Sequence, residues 1–157
     1  MPLEIERKFL VNPDFQKTLS DGILIRQGYL ATSEITTVRV RIKGDLGYFS
    51  VKGPPDESGM VRLEFEYEIP LADAQTIIDT LCGNRILEKV RYVIHIGEHD
   101  WEVDVFHGRN AGLILAEVEL NAVDEPLEYP EWIGYEVTGD DRYYNRTLID
   151  NPWPDWK

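Results

Sequence analysis

The sequence predicts an α+β protein that is mostly antiparallel β-sheet, closed on itself into a barrel with a few flanking helices. Three observations carry this. Stretches of strict apolar–polar alternation recur along the chain, separated by turn residues. Only residues 71–82 show the apolar spacing of a long helix. A meander of many strands with one long helix favours an antiparallel sheet that removes its own edges by closure.

The elements follow in order. Residues 3–11 alternate: Leu3, Ile5, Phe9 and Val11 share a face with Arg7, and Glu4, Glu6 and Lys8 share the other. Residues 12–14 start a turn, and residues 15–19 a short helix. Residues 23–31 form a strand with Gly28 as a candidate bulge. Residues 36–42 are β-branched, with Val38, Val40 and Ile42 opposite Arg39, Arg41 and Lys43. A hairpin at residues 44–47 returns through residues 48–52. After a proline-containing loop at 53–59, residues 61–69 set Val61, Leu63, Phe65, Tyr67 and Ile69 against Arg62, Glu64, Glu66 and Glu68. In the helix at 71–82, Ala74, Ile77, Ile78 and Leu81 repeat at helical spacing, and Cys82 packs beside that stripe. Strands follow at 86–96, 101–106 and 113–120, with turns at 97–100 and 108–112. A short strand at 135–138, a helix near 143–149 and an aromatic tail complete the chain.

Composition narrows the function. With 157 residues, 43% hydrophobic and 29% charged, the chain suits one globular domain spanning residues 1–157. A formal net charge of -13 argues against a general binder of nucleic acid or anionic membrane. One cysteine excludes a disulfide framework and a cysteine-based zinc site. The start has no basic stretch leading into an apolar run, and no apolar run approaches the ~20 residues of a membrane helix. A cytoplasmic location is expected. His95 and His99 flank a turn, so they do not form a paired histidine metal site.

The polar rows carry the chemistry. Half of the 16 lysines and arginines lie in them: Lys8, Arg39, Arg41, Lys43, Lys52, Arg62, Lys89 and Arg91. The same rows carry Glu4, Glu6, Glu64, Glu66, Glu102, Asp104, Glu117 and Glu119. Alternation assigns residues to a face but does not say which face is inside. An apolar interior with the charged face in water satisfies the pattern too. If the charged rows face inward, a barrel of about eight strands holds a small ligand. Its guanidinium and ammonium groups would meet phosphate oxygens, and its carboxylates a hard divalent cation. That pairing suits phosphoryl transfer, which needs positioning and charge neutralisation more than covalent chemistry.

The motifs Glu4-x-Glu6-x-Lys8, Arg39-x-Arg41, Lys52-Gly53, Glu64-x-Glu66, Lys89-x-Arg91, Asp104 and Glu117-x-Glu119 occur in the order found in the CYTH superfamily. These are the triphosphate tunnel metalloenzymes, and the chain resembles their compact bacterial members over essentially its whole length. The resemblance implies a closed eight-stranded antiparallel barrel around a tunnel. It implies a triphosphate substrate held with one or two divalent metals, magnesium or manganese (Mg2+ or Mn2+). Glu4, Glu6, Asp104, Glu117 and Glu119 then look like metal ligands. Lys8, Arg39, Arg41, Lys52, Arg62, Lys89 and Arg91 look like phosphate ligands. Glu64 and Glu66 share the interior. Glu4, Glu6 and Lys8 look closest to the reacting phosphoryl group, and Lys43 is expected at the rim or in solvent.

The implied reaction is metal-assisted hydrolysis of a phosphoanhydride, with inorganic tripolyphosphate giving pyrophosphate and phosphate as the first reading. A class IV adenylate cyclase, a thiamine triphosphatase and a non-catalytic polyphosphate-binding module share the same motifs. The partner expected is a small-molecule triphosphate, with no nucleic acid or membrane, and the chain acts as a monomer or homodimer.

Overall fold

The computed structural model describes residues 2–33 and 35–156. Nine strands form one antiparallel sheet: β1 (Leu3–Val11), β2 (Ile23–Thr32), β3 (Thr37–Lys43), β4 (Leu46–Lys52), β5 (Val61–Ile69), β6 (Ile86–Ile96), β7 (His99–Phe106), β8 (Ile114–Glu119) and β9 (Ile133–Glu136). Their order is β5-β4-β3-β2-β6-β7-β8-β1-β9, and β5 also pairs with β1. That last pairing closes eight strands into a barrel and leaves β9 as an added strand beside β1. The closure is short: Leu3, Glu4 and Ile5 face Leu63, Arg62 and Val61. Beyond it the Glu6 amide donates to the Met60 carbonyl at 3.0 Å.

Apolar rows face outward, and much of this outer surface is covered, although Phe65 and Tyr67 of β5 stay exposed. Helix α1 (Leu71–Leu81) buries Ala74 and Ile78 against Val40, with Ile42, Phe49 and Ile69 around them. Gly28 is not a bulge; the register shift comes after it, between Tyr29 and Ala31. The glycine is needed for approach instead. A Cβ on Gly28 would lie 2.5 Å from the Cys82 sulfur. A second outer core gathers Phe9, Trp101, Val103 and Val118 under Phe15 and Trp132. Phe15 lies in a 3-10 helix, Pro13–Thr18, where a short α-helix is expected from the sequence. Asn12 caps it by accepting from the Asp14 amide at 3.0 Å.

The barrel interior changes character along its length. On β1 the inward row runs Glu4, Glu6, Lys8, Leu10. On β8 it runs Leu115, Glu117, Glu119, and on β6 Leu87, Lys89, Arg91. The apolar end of these rows packs with Tyr29, Phe106, Tyr143 and Leu148, and with Trp153 and Trp156 of the tail. The C-terminal segment, including α2 (Asn145–Asp150), therefore covers that end, and the charged end holds a cavity. Tyr144 is extended and occupies the N-cap of α2, so the helix starts at Asn145 rather than near residue 143. Strand β9 is likewise shifted from residues 135–138. Thr138 meets β1 through its side chain, its hydroxyl oxygen accepting from the Lys8 amide at 2.9 Å.

Candidate active site

The charged rows face inward and line a cavity of about 260 Å3. Glu4, Glu6, Lys8, Arg39, Arg41, Lys52, Arg62, Glu64, Glu66, Lys89, Arg91, Glu117 and Glu119 all contribute to its lining. Cross-strand register brings them together: Glu6 faces Glu119 and Lys8 faces Glu117 across β1 and β8, and Lys52 faces Glu64 across β4 and β5. Lys43 joins the lining from the end of β3 and does not lie clear in solvent.

Asp104 is the exception. It is 1% exposed and lies outside the lining. Arg91 grips it through two hydrogen bonds, Nε to Oδ1 at 2.7 Å and Nη2 to Oδ2 at 2.9 Å. The Lys89 ammonium stands 2.7 Å from Oδ2. Both of its oxygens are thus engaged by cations of the cavity wall, whose charge Asp104 balances. Parity put Asp104 in the row but did not reveal that the two longer side chains beside it would claim it.

Carboxylates and cations interlock around the cavity. Lys8 Nζ lies 3.7 Å from Glu117 and donates to the Tyr143 carbonyl at 3.2 Å. Lys52 Nζ reaches Glu64 at 3.0 Å and Glu4 at 3.4 Å. Arg62 comes within 4.0 Å of Glu4, and Arg91 donates to Glu102 at 3.1 Å. The Arg39 guanidinium reaches Ser50 at 3.3 Å and Glu66 at 3.5 Å, while its Nε is buried with no hydrogen-bond partner among the described residues. Arg41 is held by a neutral group, the Gln27 amide oxygen, at 2.9 Å.

The electrostatics follow from this crowding. Burial, then the charges of Glu117 and Glu4, push the Glu6 carboxyl well above its usual range. Burial also raises Glu4 and Glu119, with nearby carboxylates adding to it. Glu117 goes the other way: against burial, Lys8, Arg91 and Lys89 hold it well below the usual carboxylate range. Burial draws Lys89 down to about 7, although the Asp104 carboxylate favours its charged form.

Several lining residues escaped sequence reasoning. Thr37 and Tyr48 share parity with the Arg39 and Lys52 rows, so alternation contained their signal. Tyr144, Asn145 and Arg146 enter from the C-terminal segment, where no strand period announces them. The Tyr144 ring sits among cations, 5.4 Å from Lys8 Nζ, 5.1 Å from the Arg62 guanidinium and 5.7 Å from that of Arg146. Tyr29 did not escape: its place ahead of a loop suggests packing or a substrate contact, and it lines the cavity with its hydroxyl accepting from Gln27 at 2.8 Å. His95 and His99 take separate partners, Asp100 and Glu125.

A closed barrel whose inward rows set carboxylates against guanidinium and ammonium groups defines a tunnel-type polyanion site. The chain belongs to the CYTH family: a CYTH domain profile matches residues 2–144. It is 46% identical over 157 residues to an inorganic triphosphatase of Acetivibrio thermocellus, covering 100% of this chain and 99% of the relative. An inorganic triphosphatase of Nitrosomonas europaea is 37% identical over 153 residues, covering 92% and 95%. A solved structure described as an inorganic triphosphatase superposes with a TM-score of 0.63 at 33% identity, covering 92% of this chain and 96% of that one.

Membership of this family of metalloenzymes implies a divalent metal. The cavity offers carboxylate oxygens, the donor type a hard divalent cation takes. Glu4, Glu6 and Glu119 are carboxyls whose ionisation is opposed by burial and by neighbouring carboxylates, a strain that a cation relieves. Among the described residues, no three of His, Cys, Asp or Glu stand in an arrangement that could by themselves hold a metal ion. An ion here would complete its shell with phosphate oxygens and water, the usual habit of magnesium. Among the described residues no helix is long and apolar enough to cross a membrane.

Proposed function

We propose that this chain is an inorganic triphosphatase that hydrolyses tripolyphosphate to pyrophosphate and phosphate with magnesium or manganese. The observation that carries the reading is one small cavity holding two complementary groups. Glu4, Glu6, Glu117 and Glu119 gather on β1 and β8, and the guanidinium groups of Arg39 and Arg41 line the cavity from β3, Arg39 beside Glu66 and Arg41 beside the neutral Gln27. Its volume of about 260 Å3 lies below the roughly 300–1,000 Å3 of pockets for drug-sized ligands, which favours a compact substrate without a nucleoside. The relatives from Acetivibrio thermocellus and Nitrosomonas europaea, both inorganic triphosphatases, point the same way.

Glu4, Glu6, Glu117 and Glu119 would hold the metal. When bound, it supplies neutralisation of phosphate charge and lowers the pKa of water. Arg39, Arg41, Lys52 and Arg62 would hold the phosphate chain in line. Lys8, Lys89 and Arg91 would bind the phosphoryl oxygens on which charge develops, with their positions preset by Glu117 and Asp104. Asp104 contributes by keeping Lys89 and Arg91 extended into the wall without competing for the metal. The buried lone Cys82 fits a reducing, cytoplasmic setting.

The test is turnover by purified protein of tripolyphosphate and ATP side by side, with magnesium or manganese, following phosphate, pyrophosphate and cyclic AMP. Phosphate and pyrophosphate from tripolyphosphate, with ATP nearly untouched, is the expected result. Cyclic AMP from ATP would move the chain to the adenylate cyclases. No metal-dependent release from any triphosphate would make it a binding module.

A further inference from the structure

Gln27 is fully buried, at 0% exposure, in the inward row of β2. That row reads Ile23, Ile25, Gln27 and Tyr29, so an amide here interrupts an otherwise apolar or aromatic series. Burying an amide is costly unless each polar atom is matched. Gln27 is matched completely. Its Nε2 donates to the Tyr29 hydroxyl at 2.8 Å and to Asn145 Oδ1 at 3.2 Å, and its Oε1 accepts from Arg41 Nε at 2.9 Å.

The direction of these bonds follows from chemistry. Lys89 Nζ donates to Asn145 Oδ1 at 2.7 Å, so that atom is an acceptor. The end of Gln27 that faces Asn145 must then be the NH2 group. Its carbonyl end is left for Arg41 Nε, which can only donate. Lys89 thus sets the orientation of an amide on the neighbouring strand, and that amide sets the guanidinium.

The choice of a neutral partner matters. Lys8, Arg39, Lys52, Arg62, Lys89 and Arg91 each stand beside a carboxylate of the chain. Among the described residues Arg41 makes no salt bridge; the Asp104 charge acts on it only from farther off, and a glutamate at position 27 would have supplied a direct partner. Glutamine provides the same acceptor geometry without cancelling the charge.

We propose that Gln27 is a positioning residue that aims Arg41 into the cavity without a carboxylate bound to it, reserving that guanidinium for a phosphate group of the substrate. The proposal rests on the reading of the cavity as a triphosphate site. It adds a specific division of labour: six cations are neutralised in part before substrate arrives, and Arg41 is oriented but left for the anion. Its Nη groups remain available for the two-pronged contact that guanidinium makes with phosphate.

The test is a double-mutant cycle on KM for tripolyphosphate, using Gln27→Leu, Arg41→Ala and the pair. Gln27→Leu should raise KM about tenfold, the order carried by a hydrogen bond to a charged group, with the larger share of the loss in KM rather than kcat. In the Arg41→Ala background the same change should move KM by less than about twofold, because its route of action is gone. Full additivity, with Arg41→Ala itself impaired, overturns the positioning role and leaves the phosphate site standing. A wild-type KM for Arg41→Ala overturns the assignment of Arg41 to phosphate, and the proposal with it. Gln27→Met, of similar length, provides a second variant if Gln27→Leu folds poorly. The wild-type protein gives an independent reading: the Arg41 Nε–H NMR signal, assigned by its loss in Arg41→Lys, should exchange slowly with solvent. A rapidly exchanging signal contradicts the proposal.

Discussion

Replacing Asp104 with asparagine removes one negative charge and little volume from a site that is 1% exposed. Two cations depend on that charge, Arg91 through paired bonds of 2.7 and 2.9 Å and Lys89 at 2.7 Å. Breaking a buried ion pair by deleting one partner costs about 3–5 kcal/mol, because the other charge stays buried and uncompensated. Against a total stability of roughly 5–15 kcal/mol, that is a large loss. At about 2–4 °C per kcal/mol for a chain of this size, the melting temperature should fall by about 6–20 °C. Urea unfolding at pH 7 measures the loss directly. Tripolyphosphate should return part of it, since phosphate oxygens can neutralise Arg91 and Lys89 and since ligand bound to the native state adds stability by mass action. If Asp104→Asn lost less than about 1 kcal/mol and instead lost metal affinity, Asp104 would be a metal ligand and the counter-charge reasoning would fail.

Other consequences are open to the same treatment. Arg39→Ala removes a buried guanidinium whose Nε has no partner, and should raise KM for tripolyphosphate about tenfold or more; an unchanged KM would count against its phosphate role. Gly28→Ala places a methyl 2.5 Å from the Cys82 sulfur and should cost about 1–3 kcal/mol in urea unfolding, partly recovered in Gly28→Ala/Cys82→Ala. Equal stability of Gly28→Ala and wild type would show that α1 moves freely over β2. Glu136 accepts two bonds from Arg7, at 2.9 and 2.7 Å, and chiefly that pairing lowers its carboxyl below the usual value. Its contribution is therefore present above the unfolded carboxylate pKa and lost as pH falls through the lower folded value. Glu136 is partly exposed, so Glu136→Gln should cost only about 0.5 kcal/mol at pH 7. The difference should vanish in acid, and one that grew on acidification would reverse the sign of the argument.

Much of the barrel was legible because period two is a strong signal over long strands. The bounds of β5 and β6 match the alternating stretches at 61–69 and 86–96, and the charged rows of β1, β3, β5 and β8 share a face as alternation requires. Alternation does not distinguish inside from outside. That depends on what covers the apolar rows, here α1, the 3-10 helix at Pro13–Thr18 and the loop carrying Trp132. Nor does it report lateral reach. Asp104 has the parity of a ligand, yet short chain length and two long cationic neighbours bury it behind the wall. Gln27 was hidden for the opposite reason: its row is otherwise apolar or aromatic, so it read as part of an ordinary strand. Asn145 and Arg146 reach the cavity only because the C-terminal segment folds back over the barrel end, a contact between residues more than 50 positions apart in Asn145 to Lys89.

The central claim is that the inward carboxylates and a divalent ion act together on a triphosphate. Its most direct test is phosphate release from tripolyphosphate as magnesium or manganese is titrated into wild-type protein and into Glu119→Ala. Glu119 sits at the barrel end among like charges, so its removal should leave the fold intact by circular dichroism and unfolding. Saturable, metal-dependent turnover in wild type that disappears in the folded variant is the predicted result. Wild-type turnover in folded Glu119→Ala, at the same metal concentrations, would contradict it.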